Sequence, residues 1–254
     1  MSLKRLLCTT IPPVGQSAPL SEEETLHTLH VLRLQVGDTV LVIDGCGVEA
    51  SAKLEVKAKK AFIKIEAHTR KEPKPATVLA LKQAIIKADA MSLVVEKATE
   101  LGCTDFYPLF TEYVAVRFKD REPAEIQNRW QRISDQALKQ SGRLWKMTVH
   151  APEKLSNSLT TASPSGLYLW ADETQHSDSL LATALFKKPK ANPIEIAIGP
   201  EGGWGPADRA LFLALLKSET AGPWQAVGLG PHILRAETAA ICALSLCQSA
   251  LLMR

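Results

Sequence analysis

The chain has 254 residues, of which 46% are hydrophobic and 22% are charged, a balance that is typical of folded globular proteins and argues against disorder. Its net charge of +3 arises from 30 basic and 27 acidic side chains, so any affinity for nucleic acid must depend on where the charges cluster. The five scattered cysteines include no CxxC pair, which predicts a reducing cytosol and no metal site.

The N-terminal region alternates apolar and polar residues in three strand-like runs. They span Thr39–Asp44, Val48–Val56 and Ala61–Glu66, and short strands at roughly ten-residue spacing indicate a small barrel. The charged segment Arg70–Pro75 contains two prolines that oppose a helix, so a domain linker is predicted there. We therefore predict a first domain over residues 1–72 and a second over 73–254.

A helical segment is predicted ahead of these strands. His27, His30 and Arg33 recur every three residues, which would place their side chains on one helical face. Local packing is the simplest interpretation of this group.

The second region alternates strands with helices, a pattern that indicates an α/β domain with a parallel sheet. The final apolar segment, Ala239–Met253, is too short and too polar to span a membrane and is expected to be a buried or interface helix. The predicted elements are strands at Thr77–Ile86, Asp105–Leu109, Leu167–Trp170, Ile194–Ile198 and Ala226–Leu229, and helices near Ala88–Leu101, Ala124–Ser141, Pro206–Lys217 and Arg235–Met253.

Two glycine-containing loops follow predicted strands in the last quarter of the chain. The first is Ile198–Trp204 (IGPEGGW) and the second is Leu229–Thr238 (LGPHILRAET). Because each loop follows a strand and precedes a helix, both are expected to line a ligand crevice at one edge of the sheet. Glycines let a backbone approach a ligand closely, and a nucleotide-like ligand is favoured, although neither the Walker nor the GxGxxG pattern is present.

Three charged residues in these loops are candidates for chemistry. Glu201 would face a ligand cation or ribose hydroxyl, or would only complement a helix dipole. Arg235 and Glu237 are two positions apart, a spacing that does not place them side by side on a helix. The alternative for this pair is two solvated charges at a helix start.

The helix near Ala124–Ser141 carries two distinct faces. One face is apolar and is predicted to be core, with Trp130, Ile133 and Ala137. The other is basic and leads to the segment Gln140–Arg143, and comprises Arg129, Arg132, Gln136 and Lys139. A basic face suits phosphate contacts, and simple solvation is the alternative.

These loops, together with Lys97–Gly102 (KATELG), Gln140–Arg143 (QSGR) and His27–Arg33, closely resemble the ribosomal RNA small subunit methyltransferase E family. The resemblance covers nearly the whole chain in the right order, and the combination of GPEGGW with LGPHILRAETA is specific. It implies an N-terminal PUA-like β-barrel and a C-terminal SPOUT α/β domain with a trefoil knot that holds S-adenosylmethionine. The implied activity is methylation of uridine N3 in 16S ribosomal RNA of the small subunit, by a cytoplasmic homodimer whose C-terminal helix lies at the interface.

The resemblance also implies which residues form the site. Arg235 and Glu237 would border the methyl-transfer site, where Arg235 stabilises a uridine anion and Glu237 orients it, and Glu201 is the third catalytic candidate. The cofactor-binding residues implied are Leu169, Gly199, Gly202, Gly203, Leu229, Gly230, Ile233 and Leu234. The predicted RNA-binding residues are Arg33, Arg129, Arg132, Gln140 and Arg143.

The sequence departs from the family pattern at positions that bear on RNA contact. His232, His30 and Tyr113 stand where arginine is common, and Ser92 stands where glutamate is often found. Two alternatives to the main prediction remain at this point: a knotted methyltransferase acting on another RNA, such as transfer RNA or the large subunit, and a noncatalytic RNA-binding assembly factor.

Overall fold

The structure, a computed structural model, describes residues 3–114, 122–159, 163–175, 180–216 and 224–253. The chain forms two compact units. The first, here called the N-terminal unit, comprises Met1–Pro75 together with Asp135–Lys146. The second, the α/β unit, comprises Ala76–Ser134 and Met147–Arg254. The first unit thus takes in a short segment from the middle of the chain in addition to the N-terminal residues.

The N-terminal unit contains a mixed five-stranded sheet in the order β1-β3-β4-β5-β2. Strands β1 and β3 are parallel, and the other pairs are antiparallel. The three predicted strands are confirmed as β3, β4 and β5, whereas β1 and β2 were missed because three-residue strands are too short to show a periodicity. The strands are β1 (Arg5–Leu7), β2 (Ser17–Pro19), β3 (Thr39–Ile43), β4 (Val48–Lys57) and β5 (Lys60–Lys71).

A short helix α1 (Glu22–Leu26) continues into a π-helical turn (His27–Val31). The side chain of Ser21 accepts a hydrogen bond from the backbone N–H of Glu24 and so caps α1. The prediction that Arg33 shares a helical face with the two histidines is wrong, because the helical turns end at Val31 and Arg33 adopts a left-handed backbone with φ of 53°. A positive φ in a non-glycine residue is uncommon and marks a constrained segment.

The N-terminal unit also contains a buried ion pair. Lys139, near the end of helix α3 (Pro123–Ser141), lies 2.8 Å from the carboxylate of Glu24, and both side chains are less than a tenth exposed. The prediction that Lys139 belongs to a basic solvent-facing surface is therefore wrong, because the buried carboxylate of Glu24 requires a buried cation. On the apolar face of α3, Trp130 and Ala137 are buried as predicted.

The α/β unit is built on a seven-stranded parallel sheet, which confirms the predicted α/β class. The order is β12-β10-β11-β6-β7-β8, and β9 pairs with β7 beside β8. The strands are β6 (Leu79–Ala84), β7 (Asp105–Phe110), β8 (Thr148–Val149), β9 (Glu153–Lys154), β10 (Leu167–Ala171), β11 (Ile194–Ile198) and β12 (Trp224–Val227).

Helices cover both faces of this sheet. On one face α2 and α7 pack together and bury the alternate strand residues, such as Leu81 and Ile196. On the other face α6 contributes Phe212 to an aromatic cluster, where its ring stacks on Trp170 at 4.6 Å between centroids. The helices are α2 (Ala88–Glu100), α4 (Leu155–Ser158), α5 (Leu181–Lys187), α6 (Pro206–Leu216) and α7 (Ala236–Leu252). Within the described ranges, none of the helices has the length and apolar character needed to cross a membrane.

Candidate active site

The carboxyl ends of three neighbouring strands bring the two glycine loops to one edge of the sheet. Strand β10 pairs in parallel with β11 on one side and with β12 on the other. The loop Gly199–Gly205, here called the first loop, follows β11, and the loop Gly228–Arg235, here called the second loop, follows β12. Because all three strands run in the same direction, both loops emerge at the edge where open α/β sheets bind ligands.

The first loop is held by its own tryptophan. Trp204 is buried, and its indole N–H donates to the backbone oxygen of Ala171 at 2.7 Å, at the end of β10. Within the loop, the N–H of Gly203 donates to the oxygen of Pro200 at 3.0 Å, and Gly203 has φ of 73°. A side chain is disfavoured at that φ, so glycine is favoured in this turn.

A guanidinium on α6 also holds the first loop. Arg209 donates to Asp172 and to Glu173, each at 2.7 Å, and to the backbone oxygen of Trp204 at 3.2 Å. A Cβ at Gly203 would lie 3.0 Å from the carboxylate of Glu173. The end of β10 and the start of α6 are therefore tied together around the first loop.

Glu201 lies at the start of helix α2. Its Oε1 accepts a hydrogen bond of 3.3 Å from the backbone N–H of Lys87, the residue that precedes α2. The N-terminus of a helix carries partial positive charge, so a carboxylate is stabilised there. Glu201 thus complements a helix dipole, but the helix is α2 and not the α6 that follows the first loop in sequence.

The second loop offers open space and an apolar surface. Gly230 has φ of 133°, and a Cβ at this position would meet no atom within 4 Å. Ile233 is 84% exposed, whereas Leu229 and Leu234 are partly buried against the core. Leu169 of β10 is fully buried, so its contribution to a pocket would be as part of the floor.

Arg235 and Glu237 flank the start of α7. Arg235 is the N-cap residue, with an extended backbone, and its carbonyl accepts from the N–H of Ala239 at 2.8 Å. The side chain of Arg235 is exposed, and Glu237 is half-buried in the first turn. Neither side chain has an ion pair or hydrogen bond within the described ranges, so both charges are available to a ligand.

The predicted RNA-binding residues are divided between the two units. Arg33, Gln140 and Arg143 belong to the N-terminal unit, and Arg129 and Arg132 belong to the α/β unit. All are exposed except Arg143, which is half-buried. In the N-terminal unit, the carbonyl of Gly142 accepts from the guanidinium of Arg70 at 2.5 Å.

The positions that depart from the family pattern have different environments. His30 and His232 are exposed, and Tyr113 lies against Gly202, where a Cβ would be 3.4 Å from the Cβ of Tyr113. Ser92 donates to the backbone oxygen of Ala88 within α2 at 2.8 Å. Tyr113 is thus the departure that bears on the shape of the first loop.

Sequence analysis missed the residues that hold the first loop from a distance. Asp208 of α6 accepts hydrogen bonds from the backbone N–H of Glu112, and Arg209 reaches Asp172. These partners are 96 and 37 positions apart, so no local spacing relates them. The adjacent charges of Asp208 and Arg209 after a glycine loop were the available signal in the sequence.

Comparison with known proteins gives the family. A model of the RNA methyltransferase domain matches residues 72–248, and a model of the RNA methyltransferase PUA domain matches residues 20–66. A ribosomal RNA small subunit methyltransferase E from Synechocystis is 35% identical over 87% of this chain and 69% of its own length. The Bacillus subtilis protein of the same name is 28% identical over 89% and 87%, respectively.

Two solved structures are similar over 98% of both chains. The ribosomal RNA small subunit methyltransferase E of Neisseria gonorrhoeae, bound to S-adenosyl methionine, has a TM-score of 0.82 at 27% identity. A putative methyltransferase from Legionella pneumophila, in complex with the same cofactor, has a TM-score of 0.85 at 28% identity. The family model, the relatives and the fold agree, and this chain belongs to the ribosomal RNA small subunit methyltransferase E family.

Proposed function

We propose that this protein is an S-adenosylmethionine-dependent methyltransferase that modifies N3 of a uridine in 16S ribosomal RNA. The observation that carries the proposal is the meeting of the two glycine loops at the carboxyl edge of the parallel sheet. Its family consists of small-subunit ribosomal RNA methyltransferases, and similar structures hold S-adenosylmethionine. The enzyme class, the cofactor and the ribosomal RNA substrate follow from that membership, and the uridine N3 acceptor is the finer part of the proposal.

The residues of the second loop fit the cofactor. S-adenosylmethionine presents an adenine ring and an aliphatic chain together with polar groups. The open space at Gly230 lets backbone groups approach such a ligand, and the exposed side chain of Ile233 offers apolar contact. We assign the cofactor contacts to these two loops and to β10, through Leu169, Gly199, Gly202, Gly203, Leu229, Gly230, Ile233 and Leu234.

The start of α7 has the electrostatic character that deprotonated uridine needs. The bound cofactor supplies an electrophilic methyl group, and uridine N3 becomes a good nucleophile once it has lost its proton. The exposed guanidinium of Arg235 and the N-terminal dipole of α7 both favour negative charge at this position. We therefore propose that the guanidinium of Arg235 stabilises the uridine anion.

The two carboxylates have positioning roles in this proposal. Glu237, in the first turn of α7, accepts hydrogen bonds from the ribose hydroxyls and so orients the uridine. Glu201 is held by the N–H of Lys87 and retains acceptor capacity for a second donor group of the substrate.

RNA contact and assembly complete the proposal. Arg33, Arg129, Arg132, Gln140 and Arg143 are assigned to the RNA backbone in the small ribosomal subunit, since guanidinium groups and the glutamine amide N–H donate to phosphate oxygens. We also propose a cytoplasmic homodimer. Its support is the apolar character of α7, where Leu252 is 78% exposed and the following Met253 is 82% exposed.

Calorimetry with S-adenosylmethionine tests the cofactor site. We expect binding to the wild-type protein and a loss of at least about tenfold in affinity for Gly230→Val, because the new side chain fills the open space and strains the backbone. Gly15→Val is the matched control, since Gly15 also has a positive φ of 85° with nothing within 4 Å but lies in the N-terminal unit. Absence of binding by the wild type, or equal affinity of the two variants, would contradict the assignment.

A further inference from the structure

Helix α6 begins without a capping side chain of its own. Its first residue is Pro206, and the residue before it is Gly205. The first N–H groups of a helix have no partner within the helix and are normally satisfied by a side-chain oxygen of the preceding residue. Gly205 has no side chain to supply that oxygen.

The missing cap is supplied by Glu112, which is 95 positions away in sequence. Oε2 of Glu112 accepts a hydrogen bond of 2.9 Å from the N–H of Ala207. A Cβ at Gly205 would collide with that same Oε2, so the carboxylate fills the space that a local cap would occupy. The absence of a side chain at Gly205 and the position of Glu112 are therefore complementary.

Asp208 completes a reciprocal arrangement. Its carboxylate accepts from the N–H of Gly205 at 3.2 Å and from the N–H of Glu112 at 3.1 Å. This is the capping-box pattern, with one difference. The oxygen that the N-cap side chain normally supplies comes here from Glu112, in a separate segment of the chain. Asp208 is 4% exposed, and burial raises its pKa although the two N–H groups oppose that effect.

The segment that carries Glu112 also touches the middle of the first loop. Tyr113 follows Glu112 and lies against Gly202, whereas Glu112 lies against Gly205. Two successive residues therefore contact the loop at two positions. Next to the same loop, Arg209 binds Asp172 and Glu173. The conformation of the first loop is thus set by residues outside it.

We infer that Glu112 is a positioning residue for the cofactor site, which caps α6 from the turn after β7 and so holds the first loop in its binding conformation. The inference rests on the proposed function, since it assumes that this loop contacts S-adenosylmethionine. Glu112 itself acts through the loop backbone.

Four variants separate capping from other roles. Glu112→Gln keeps an acceptor oxygen, and Glu112→Gly removes it. In the double variant Glu112→Gly/Gly205→Ser, the cap moves to the helix's own N-cap position, into space that Glu112 has vacated. Ser21→Ala removes the cap of α1 in the N-terminal unit and is the control for loss of a cap elsewhere.

Calorimetry gives the affinity for S-adenosylmethionine, and hydrogen exchange measured by mass spectrometry reports on residues 199–212 without the cofactor. Glu112→Gly is expected to weaken binding by about five- to tenfold and to speed exchange in this segment, as loss of a helix cap predicts. Glu112→Gln and Ser21→Ala are expected to bind within about twofold of the wild type. The double variant is expected to recover both the affinity for S-adenosylmethionine and the protection of residues 199–212 against hydrogen exchange.

Unchanged affinity in Glu112→Gly would overturn the inference, as would a double variant that regains slow exchange but not affinity, since Glu112 would then touch the cofactor itself. If the wild type does not bind S-adenosylmethionine, the proposed function fails. The exchange data would still show whether Glu112 caps α6, so the two failures are distinguishable.

Discussion

At the residue scale, Arg235 is the side chain on which the proposed chemistry depends most. It combines an exposed guanidinium with a position at the N-terminus of α7. For Arg235→Ala we expect a loss in kcat on the order of 100-fold, because a preorganised charge at the developing anion is removed, while the affinity for S-adenosylmethionine stays close to that of the wild type. Single-turnover methyl transfer and calorimetry measure the two quantities separately.

The control for this variant is Lys190→Ala, which removes an exposed cation elsewhere in the α/β unit. Near-normal turnover of Arg235→Ala with intact cofactor binding would show that the arginine does not stabilise the anion. Equal losses in the two variants would indicate a general charge effect.

His27 is a second residue with a testable effect, because it makes the stability of the folded protein depend on pH. Burial lowers the pKa of His27, and the charge of Lys139 lowers it further. The unfolded chain therefore takes up a proton near pH 6.5 that the folded protein does not, so stability falls as the pH decreases below about 6.5. We expect the Tm to decrease less between pH 7.5 and about 5.5 in His27→Gln than in the wild type.

The matched control for His27 is His68→Gln, at an exposed position on β5. Thermal unfolding followed by circular dichroism at several pH values gives the comparison. A wild-type profile that His27→Gln does not flatten would show that His27 is not responsible for the acid sensitivity.

Individual site residues were predictable only where the loop pattern itself contains them. Arg235, Glu237 and the loop glycines belong to two short motifs, so the sequence locates them. Arg209 and Glu112 act on partners far along the chain, and only the folded structure brings them together. Arg33 was misjudged because a π-helical turn and a positive φ break the helical spacing on which the prediction relied.

At the element scale, hydrophobic periodicity predicted most of the long strands and helices. The strand predicted at Thr77–Ile86 is β6, although it contains the buried Lys82. Its ammonium group lies 3.2 Å from Glu195 of β11 and donates to Ser158 at 2.9 Å. A lysine in a buried strand is accommodated only when such partners exist, and they are not visible from the strand's own sequence.

The basic residues of α3 are predicted to contribute to the affinity for RNA. Arg129 and Arg132 are exposed on this helix, and each phosphate contact contributes to the salt dependence of binding. For Arg129→Ala/Arg132→Ala we expect weaker binding at all salt concentrations. The slope of log affinity against log salt concentration is expected to be smaller in magnitude by about one to two.

Lys187→Ala/Lys190→Ala removes the same number of charges from α5 and the segment after it, and is expected to leave the slope unchanged. Filter binding of 16S RNA fragments at several salt concentrations measures both variants. Identical slopes in the two variants would exclude α3 as a phosphate-binding element.

At the scale of the whole molecule, the α/β class and the β-rich N-terminal region could be predicted from element order alone. The composition of the units could not, because residues 135–146 join the N-terminal unit through tertiary contacts such as the pair between Lys139 and Glu24. The threading of the chain through a knot, implied by the resemblance, stays a prediction.

The proposed homodimer is also a property of the whole molecule. Exposed apolar residues at the end of α7 would be buried in such an assembly. Light scattering coupled to size-exclusion chromatography is expected to give twice the mass of the 27.7 kDa chain. A stable monomer at micromolar concentration would argue against the dimer.

The most direct test of the central claim is the chemical identity of the product. The protein is incubated with isotopically labelled S-adenosylmethionine and small ribosomal subunits from a strain that lacks this modification, and the digested RNA is analysed by mass spectrometry. We predict labelled 3-methyluridine in 16S RNA. Label on a different nucleoside, or no labelled product from protein that binds the cofactor, would contradict the account.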